Sequence, residues 1–387
     1  MIADRAHAIE ASGIRRILEL ASSLKNPVNL SIGQPDFPVP DPIKNAAIDA
    51  IRTDRNGYTL TQGIPELRAA ISAHLATDLN WNFNHNDDPA LLVTSGTSGG
   101  LLLAAQALLN PGDEIIIPDP YFLIYPAIAT LCAAHAVPCN TAPHFRLTAE
   151  LVEPLITPRT KFVLFNSPSN PAGVVSTEAE CRDLLDLCRA RNILLISDEI
   201  YDGFTYSESR TQRTPHNQHL CPSPARLEAS AQHVLLIRGF GKTYGCTGWR
   251  LGYAAGPRPI IEQMAKIQQY TFVCAPSPLQ HGAIAALSTD ITHIIAEYES
   301  RRDLVVNRLS QVTDLPFPGG AFYAYPRVPT HLGLTASQFV EQCIERELLL
   351  VPGKVFSTRD THIRLSFAVA PDKLARGLDI LVDLMSR

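Results

Sequence analysis

Val234-Leu-Leu-Ile-Arg-Gly-Phe-Gly-Lys-Thr-Tyr-Gly-Cys-Thr-Gly-Trp-Arg-Leu-Gly-Tyr-Ala-Ala255 is the stretch on which the reading turns. An apolar strand, Val234 to Ile237, opens into a glycine-rich loop with a single lysine, Lys242, and a second strand begins near Leu251. The same grammar repeats upstream. Leu91 to Thr94, Glu114 to Ile117, Phe162 to Phe165 and Leu194 to Ser197 are strand-like runs, separated by helical patterns at Gly99 to Leu109, Tyr121 to Cys132 and Thr177 to Arg191. Leu251 to Ala255 and a helix at Pro259 to Gln269 continue the series. Apolar strands alternating with helices predict an α/β fold whose mainly parallel sheet is covered on both faces.

The flanks read differently. A helical pattern at Ala6 to Leu20 precedes a stretch in which Pro35, Pro38, Pro40 and Pro42 forbid helix and central strand. Helices follow at Pro42 to Arg52 and Pro65 to Leu75. Beyond about residue 285 the pattern predicts a long helix (Ile284 to Leu309), strands at Ala321 to Tyr325 and His362 to Phe367, and helices at Ala336 to Glu347 and Pro371 to Met385. Fewer strands and longer helices argue for a smaller α+β domain.

Composition narrows the function. Charged residues are 18% of the 387, below the roughly 25% usual for a globular chain, which suggests surface hidden in an interface or a deep site. A net charge of -5, with no basic run, predicts no nucleic-acid partner and no membrane surface. Eight scattered cysteines without a CxxC pair read as core thiols, and the polar residues of Met1 to Glu10 do not fit a signal peptide, so the expected location is cytoplasmic.

Four segments carry chemistry. A lysine desolvated in a glycine-lined site loses its charge more readily and becomes a nucleophilic amine. The loop around Lys242 is also compatible with an ordinary turn, but not with a P-loop, whose GxxxxGK[ST] spacing is absent. Arg250 offers a planar fork for phosphate. Ile196-Ser-Asp-Glu-Ile-Tyr201 sits at the carboxyl end of a strand, where open α/β sheets place ligands; an aspartate there can face a protonated ring nitrogen, or the acidic pair is structural. Val93-Thr-Ser-Gly-Thr-Ser-Gly-Gly100 leads into a helix, so its amides either bind phosphate or form a plain capped start. In Ser207 to Gln232, His216, His219 and Cys221 are metal-ligand types, but without a fourth ligand a solvated surface insertion is the better reading.

Taken in order, these segments resemble the class I/II aminotransferases, pyridoxal-phosphate enzymes of fold type I. The resemblance spans nearly the whole chain: Gly33-Gln-Pro-Asp-Phe37, Tyr58 with Gly63-Ile-Pro-Glu-Leu-Arg68, Asn110-Pro-Gly-Asp-Glu114, Asp119-Pro-Tyr-Phe122, Asn166-Ser-Pro-Ser-Asn-Pro171, Asp198-Glu-Ile-Tyr201, Lys242 with Gly248-Trp-Arg-Leu-Gly252, and Ile363-Arg-Leu-Ser-Phe367. It implies a seven-stranded, mainly parallel sheet in a large cofactor-binding domain (46–284), and a small domain built from both termini (1–45 and 285–387). The cofactor implied is pyridoxal 5'-phosphate. Lys242 would form its internal aldimine and move the substrate Cα proton, and Asp198 would hold the pyridine nitrogen protonated. Tyr201 and Asn170 would bond the ring's phenolate oxygen, and Phe122 would stack on the ring. Gly96, Thr97, Ser98 and Arg250 would bind the phosphate. Tyr58 would reach the phosphate of the neighbouring subunit in a homodimer. Arg364 would clamp the substrate α-carboxylate, with the backbone of Gly33 and Asn170 beside it.

The family's lysine segment usually reads SxSK, whereas this chain has Gly239-Phe-Gly-Lys242. Loss of a hydroxyl bond to phosphate costs roughly 1.5–3 kcal/mol unless other groups compensate. The implied reaction is transfer of an amino group from an L-amino acid to a 2-oxo acid. Two rivals are a carbon–sulfur β-lyase of the same fold and a non-catalytic cofactor-binding regulator, against which Met1 to Leu30 is too short for a DNA-binding module. No second cation for a dicarboxylate side chain stands among the matched segments, which favours neutral or aromatic amino acids, with 2-oxoglutarate as acceptor. Thr271, Phe272, Tyr323 and Tyr325 are candidates for the side-chain pocket.

Overall fold

The computed structural model describes residues 1–9, 13, 24–85, 89–211 and 221–387. Its strands are β1 (Val28–Asn29), β2 (Ala90–Thr94), β3 (Glu114–Asp119), β4 (His135–Asn140), β5 (Thr160–Asn166), β6 (Leu194–Asp198), β7 (Val234–Gly239), β8 (Gly252–Gly256), β9 (Tyr323–Ala324), β10 (Leu348–Leu349), β11 (Val351–Pro352) and β12 (Ile363–Ser366). Seven of them form one sheet in the order β2-β8-β7-β6-β5-β3-β4. All its pairings are parallel except those of β8 with β2 and β7. The connection from β7 to β8 carries no crossover helix, so β8 returns antiparallel.

The continuous apolar runs are explained by burial on both faces. In β5, Val163 and Phe165 enter one core with Ile116, Leu195, Val234 and Leu236. Phe162 and Leu164 point to the opposite layer with Ile115, Ile117, Leu235 and Ile237. A third core joins Val28, Leu30, Phe322, Leu365, Leu374 and Leu378, and also takes Tyr201, Phe204 and Tyr206 from the chain just beyond β6. The carboxyl ends of the parallel strands therefore face this third core, and the crevice between them is where a ligand belongs.

Several expectations need correction. The long helix predicted over Ile284 to Leu309 is two helices, Ser277–Ala286 and Thr292–Leu309, interrupted where Asp290 caps the second through Thr292. Strand β4 went unread because Pro138 and polar, partly exposed neighbours break its pattern, which an edge strand tolerates. Of the amino-terminal helical pattern the described part shows a short helix at Asp4–His7, and most of the rest lies outside the described residues, as do Thr214, Pro215, His216 and His219. The part of the supposed surface insertion that begins at Cys221 is anchored. Cys221 to Ala225 are buried, Ser223 donates to Glu199, and Arg226 pairs with Asp78 at 2.6 Å. Among the described residues no cluster of His, Cys, Asp and Glu could hold a metal ion, and no helix is long and apolar enough to cross a membrane.

Candidate active site

Strand β7 ends at Gly239, and the chain turns at once into the short helix Phe240–Thr243, which carries Lys242 into the crevice. Its ammonium donates to the Gly33 carbonyl. Burial, reinforced by the positive charges of Arg364 and Arg250, pulls the Lys242 pKa down to about 8. The neutral, nucleophilic amine is thus much easier to reach than from an ordinary lysine, although the ammonium still predominates at neutral pH.

Asp198 closes β6 and is buried. One carboxylate oxygen accepts the Tyr125 hydroxyl at 2.9 Å, and the other accepts the Ile200 amide at 3.3 Å. No cationic side chain among the described residues pairs with it. Burial, and then the neighbouring Glu199, raise its pKa to about 6 against two hydrogen bonds that lower it. Next to it, Asn166 of β5 donates to the Asp198 carbonyl at 2.9 Å and accepts from the Asn170 amide at 3.0 Å, which fixes the Asn166–Asn170 loop over the strand end.

Arg364, on β12, is 1% exposed. Its Nη1 donates to Asn170 Oδ1 at 3.1 Å and its Nη2 to the Ser31 carbonyl at 2.7 Å, while its buried Nε has no partner. The guanidinium lies 4.6 Å from the ring centres of both Tyr323 and Phe356. A buried, flat cation held by two neutral acceptors, with most of its five N–H donors unspent, is suited to a carboxylate.

At the opposite end, the 13-residue helix Gly96–Leu108 begins at Ser95, which makes no side-chain cap bond, so its first amides are free for an anion. Gly96 has φ +71°, and a Cβ there would lie 2.7 Å from Arg250 Nη2. Gly252 permits the same closeness from β8: its Cβ would stand 2.8 Å from the Gly96 carbonyl carbon. Arg250, itself at φ 55°, is aimed across this helix start.

One cavity of about 290 Å³ gathers Gly33, Gly96, Thr97, Ser98, Phe122, Asn170, Asp198, Tyr201, Lys242, Arg250 and Arg364. Tyr58 is not among its lining residues and stands 89% exposed on the surface of the chain. Of the suggested side-chain pocket, Tyr323 lines the cavity; Thr271, Phe272 and Tyr325 do not. Tyr325 instead stacks on His362 at 5.0 Å. Sequence reasoning missed Tyr125, Asn166, Ile200 and Thr247, which also line it. Asn166 stood inside a quoted motif, but Tyr125 lies in an apolar helix, Ile124–Leu131, where it reads as core.

The residues fit pyridoxal phosphate. A buried carboxylate lacking a cation suits a protonated ring nitrogen, a free amine suits the aldehyde, and a helix start with Arg250 suits the phosphate. The departure at Gly239 also has a physical reason. A Cβ there would lie 2.9 Å from Ile200 Cδ1 and 3.0 Å from Thr97 Cγ2, so the volume of the family's serine is already filled by those two side chains. Gly241 is similarly tight, with Thr247 Cα 3.2 Å from its would-be Cβ.

Comparison with known proteins agrees with this chemistry. The family model described as aminotransferase class I and II matches residues 25–381. The aspartate aminotransferase of Pyrococcus abyssi is 33% identical over 389 residues, covering 98% of this chain and 96% of its own. Aromatic-amino-acid aminotransferase 2 of Thermococcus litoralis is 31% identical over 394 residues, covering 98% and 96%. The crystal structure of aspartate aminotransferase from Thermotoga maritima superposes with a TM-score of 0.90 at 30% identity and covers 100% of both chains.

Proposed function

Because the chain belongs to the class I and II aminotransferases and is a pyridoxal-phosphate-dependent transaminase of amino acids, we propose that its amino donor is a neutral or aromatic L-amino acid. The observation that carries this reading is the cation inventory of the cavity. Among the described lining residues the cations are Lys242, Arg250 and Arg364, and each has a use. None is left for a side-chain carboxylate, and Phe122, Ile200 and Tyr323 present apolar surface.

When bound, pyridoxal phosphate supplies an aldehyde carbon and an electron-withdrawing ring. In our reading Lys242 is the amine available to that aldehyde, and its Nζ holds the proton taken from the substrate Cα. Asp198 remains ionised opposite the ring nitrogen and keeps that nitrogen protonated. Tyr201 and Asn170 face the ring's oxygen, Phe122 covers the ring, and Gly96, Thr97, Ser98 and Arg250 hold the phosphate. Arg364 holds the substrate carboxylate through the N–H groups of its guanidinium, so that the Cα–H bond is presented in a constant orientation.

The proposal extends to a homodimer in which Tyr58 completes the neighbour's phosphate site. It is supported by the exposure of Tyr58 (89%), Tyr270 (86%) and Leu60 (59%) on the single chain. We assign residues 46–284 to the cofactor-binding domain and 1–45 with 285–387 to the smaller one, on the strength of largely distinct cores that exchange a few residues, among them Ile43 and Tyr201. The free cysteines support a cytoplasmic location. A panel of amino donors tests the substrate class, scored by bleaching of the bound cofactor's visible absorbance. Phenylalanine, tyrosine, leucine or methionine should bleach it faster than aspartate or glutamate, and the reverse order overturns the donor assignment.

A further inference from the structure

Tyr323 is a buried side chain of β9 that touches both ends of the substrate machinery. Its hydroxyl lies 3.0 Å from the Tyr201 hydroxyl, and either oxygen could donate. Its ring face lies 4.6 Å from the Arg364 guanidinium. Strand pairing sets this juxtaposition, since β9 runs antiparallel to β12, with Ser366 opposite Tyr323 and Leu365 opposite Ala324. Gly33 completes the enclosure: a Cβ there would stand 2.6 Å from the Tyr323 hydroxyl, so no side chain could come between that oxygen and the cavity.

We propose that Tyr323 is a positioning residue whose hydroxyl donates to Tyr201, turning the Tyr201 proton into the cavity, and whose ring holds the Arg364 fork flat. Burial raises the pKa of both phenols, so each keeps its proton at neutral pH. Two hydroxyls joined by one bond then have one proton to spare. If Tyr323 donates, the spare proton belongs to Tyr201 and reaches the ring oxygen of the bound group. If Tyr201 donates, it is spent on Tyr323 instead. A phenol that accepts one hydrogen bond becomes a better donor in the next. The charged groups facing the pair are Asp198 at the end of β6, Lys242 on the turn after β7, Arg364 on β12 and Arg250 before β8, and a Tyr323→Phe change leaves all four in place.

This inference rests on the transaminase reading and deepens it. Its test uses the holoenzyme and reads the pH midpoint of the visible absorbance of bound pyridoxal phosphate. A hydrogen-bond donor on the ring oxygen favours the deprotonated form, so losing a donor raises the midpoint. Tyr201→Phe should raise it by roughly 1–2 pH units. Tyr323→Phe should raise it by roughly 0.3–0.6 unit, as expected for loss of cooperative polarisation. The double variant should match Tyr201→Phe alone, because Tyr323 acts on the midpoint through Tyr201. Loss of the ring is read separately: KM for the amino donor should be roughly 3–30-fold higher in Tyr323→Leu than in Tyr323→Phe.

An unmoved or lowered midpoint in Tyr323→Phe, or a further rise in the double variant, overturns the hydroxyl link. Equal KM values in the Phe and Leu variants overturn the stacking. A wild-type protein that takes up no pyridoxal phosphate breaks the transaminase reading itself. A titrating wild-type band with an unmoved Tyr323→Phe midpoint breaks only this assignment.

Discussion

Two buried charge clusters lie back to back at the end of the sheet, and adjacent residues feed them. Asp198 and Lys242 face the cavity; Glu199 and Arg238 face away from it. On the far side every charge is answered. Arg238 donates to Glu199 at 2.8 and 3.0 Å and to Asp78 at 2.7 Å. Glu199 also accepts from Ser197 at 2.8 Å and from Ser223 at 2.5 Å. On the cavity side, Asp198 has no cation, Arg364 has no carboxylate, and Lys242 rests on a carbonyl. Buried charge without a partner is costly, and a fold retains it where a ligand supplies the partner. The difference separates a cluster that holds the sheet end together from one that waits for a substrate and cofactor.

Substitutions should sort along that line. The largest effect belongs to Lys242→Ala, which removes the amine on which every other group converges. Turnover in a coupled transamination assay should fall by at least about 10⁴-fold, with urea unfolding close to wild type. Residual turnover within tenfold of wild type would exclude Lys242 as the base.

Arg238→Met should do the opposite. It strands the buried Glu199 and leaves Asp78 with Arg226 alone, so unfolding free energy should drop by about 3–5 kcal/mol. A stable Arg238→Met protein would mean that the paired cluster is not what secures the strand ends.

A smaller effect concerns pH and the cofactor-free protein. The folded state holds the Asp198 proton up to about 6, against an ordinary 3.8. The native state therefore binds the proton more tightly than the unfolded chain does. This contribution is fully present below the ordinary value, is lost as pH rises through that window, and amounts to about 3 kcal/mol. Urea unfolding at pH 4 and pH 7 should show this loss in the cofactor-free wild type and its absence in cofactor-free Asp198→Asn. Equal pH slopes in the two proteins would show that Asp198 is not an unanswered charge.

The smallest change expected is in Gly239→Ser, which restores the family's usual residue. With Ile200 and Thr97 already occupying the space, it should weaken cofactor retention by about 1–3 kcal/mol of overpacking strain. Dialysis against buffer, followed by absorbance, measures this; tighter retention would show that the serine's place had stayed open.

How far the sequence could be read depended on where the information lay. The central strands were legible because burial on both faces demands unbroken apolar runs, as in Phe162 to Phe165. The edge strand β4, with Pro138 and exposed neighbours, lacked that demand and was missed. The helix pair around residues 287–291 reads as one because Leu287 and Ile291 keep a helical four-residue spacing across the polar Ser-Thr-Asp break. Lys242, Asp198 and Arg364 stood out as residue types in recognisable order, whereas Tyr125 and Ser223 looked like a core aromatic and a loop serine. Their importance comes from partners 73 and 24 residues away in sequence.

The sequence by itself determined the reaction class and the central parallel strands. Local apolar periodicity specifies most strands and helices, and the ordered motifs single out the side chains we propose to react. Only the tertiary structure decided which charges are answered. Asp198 and Glu199 are neighbours of similar chemistry, yet one is neutralised by Arg238 and the other is left open. Likewise, Arg364 is oriented by the Ser31 carbonyl, 333 residues away. Pairing depends on distances through space, and those exist only once the sheet, the third core and the returning terminus have closed around the crevice.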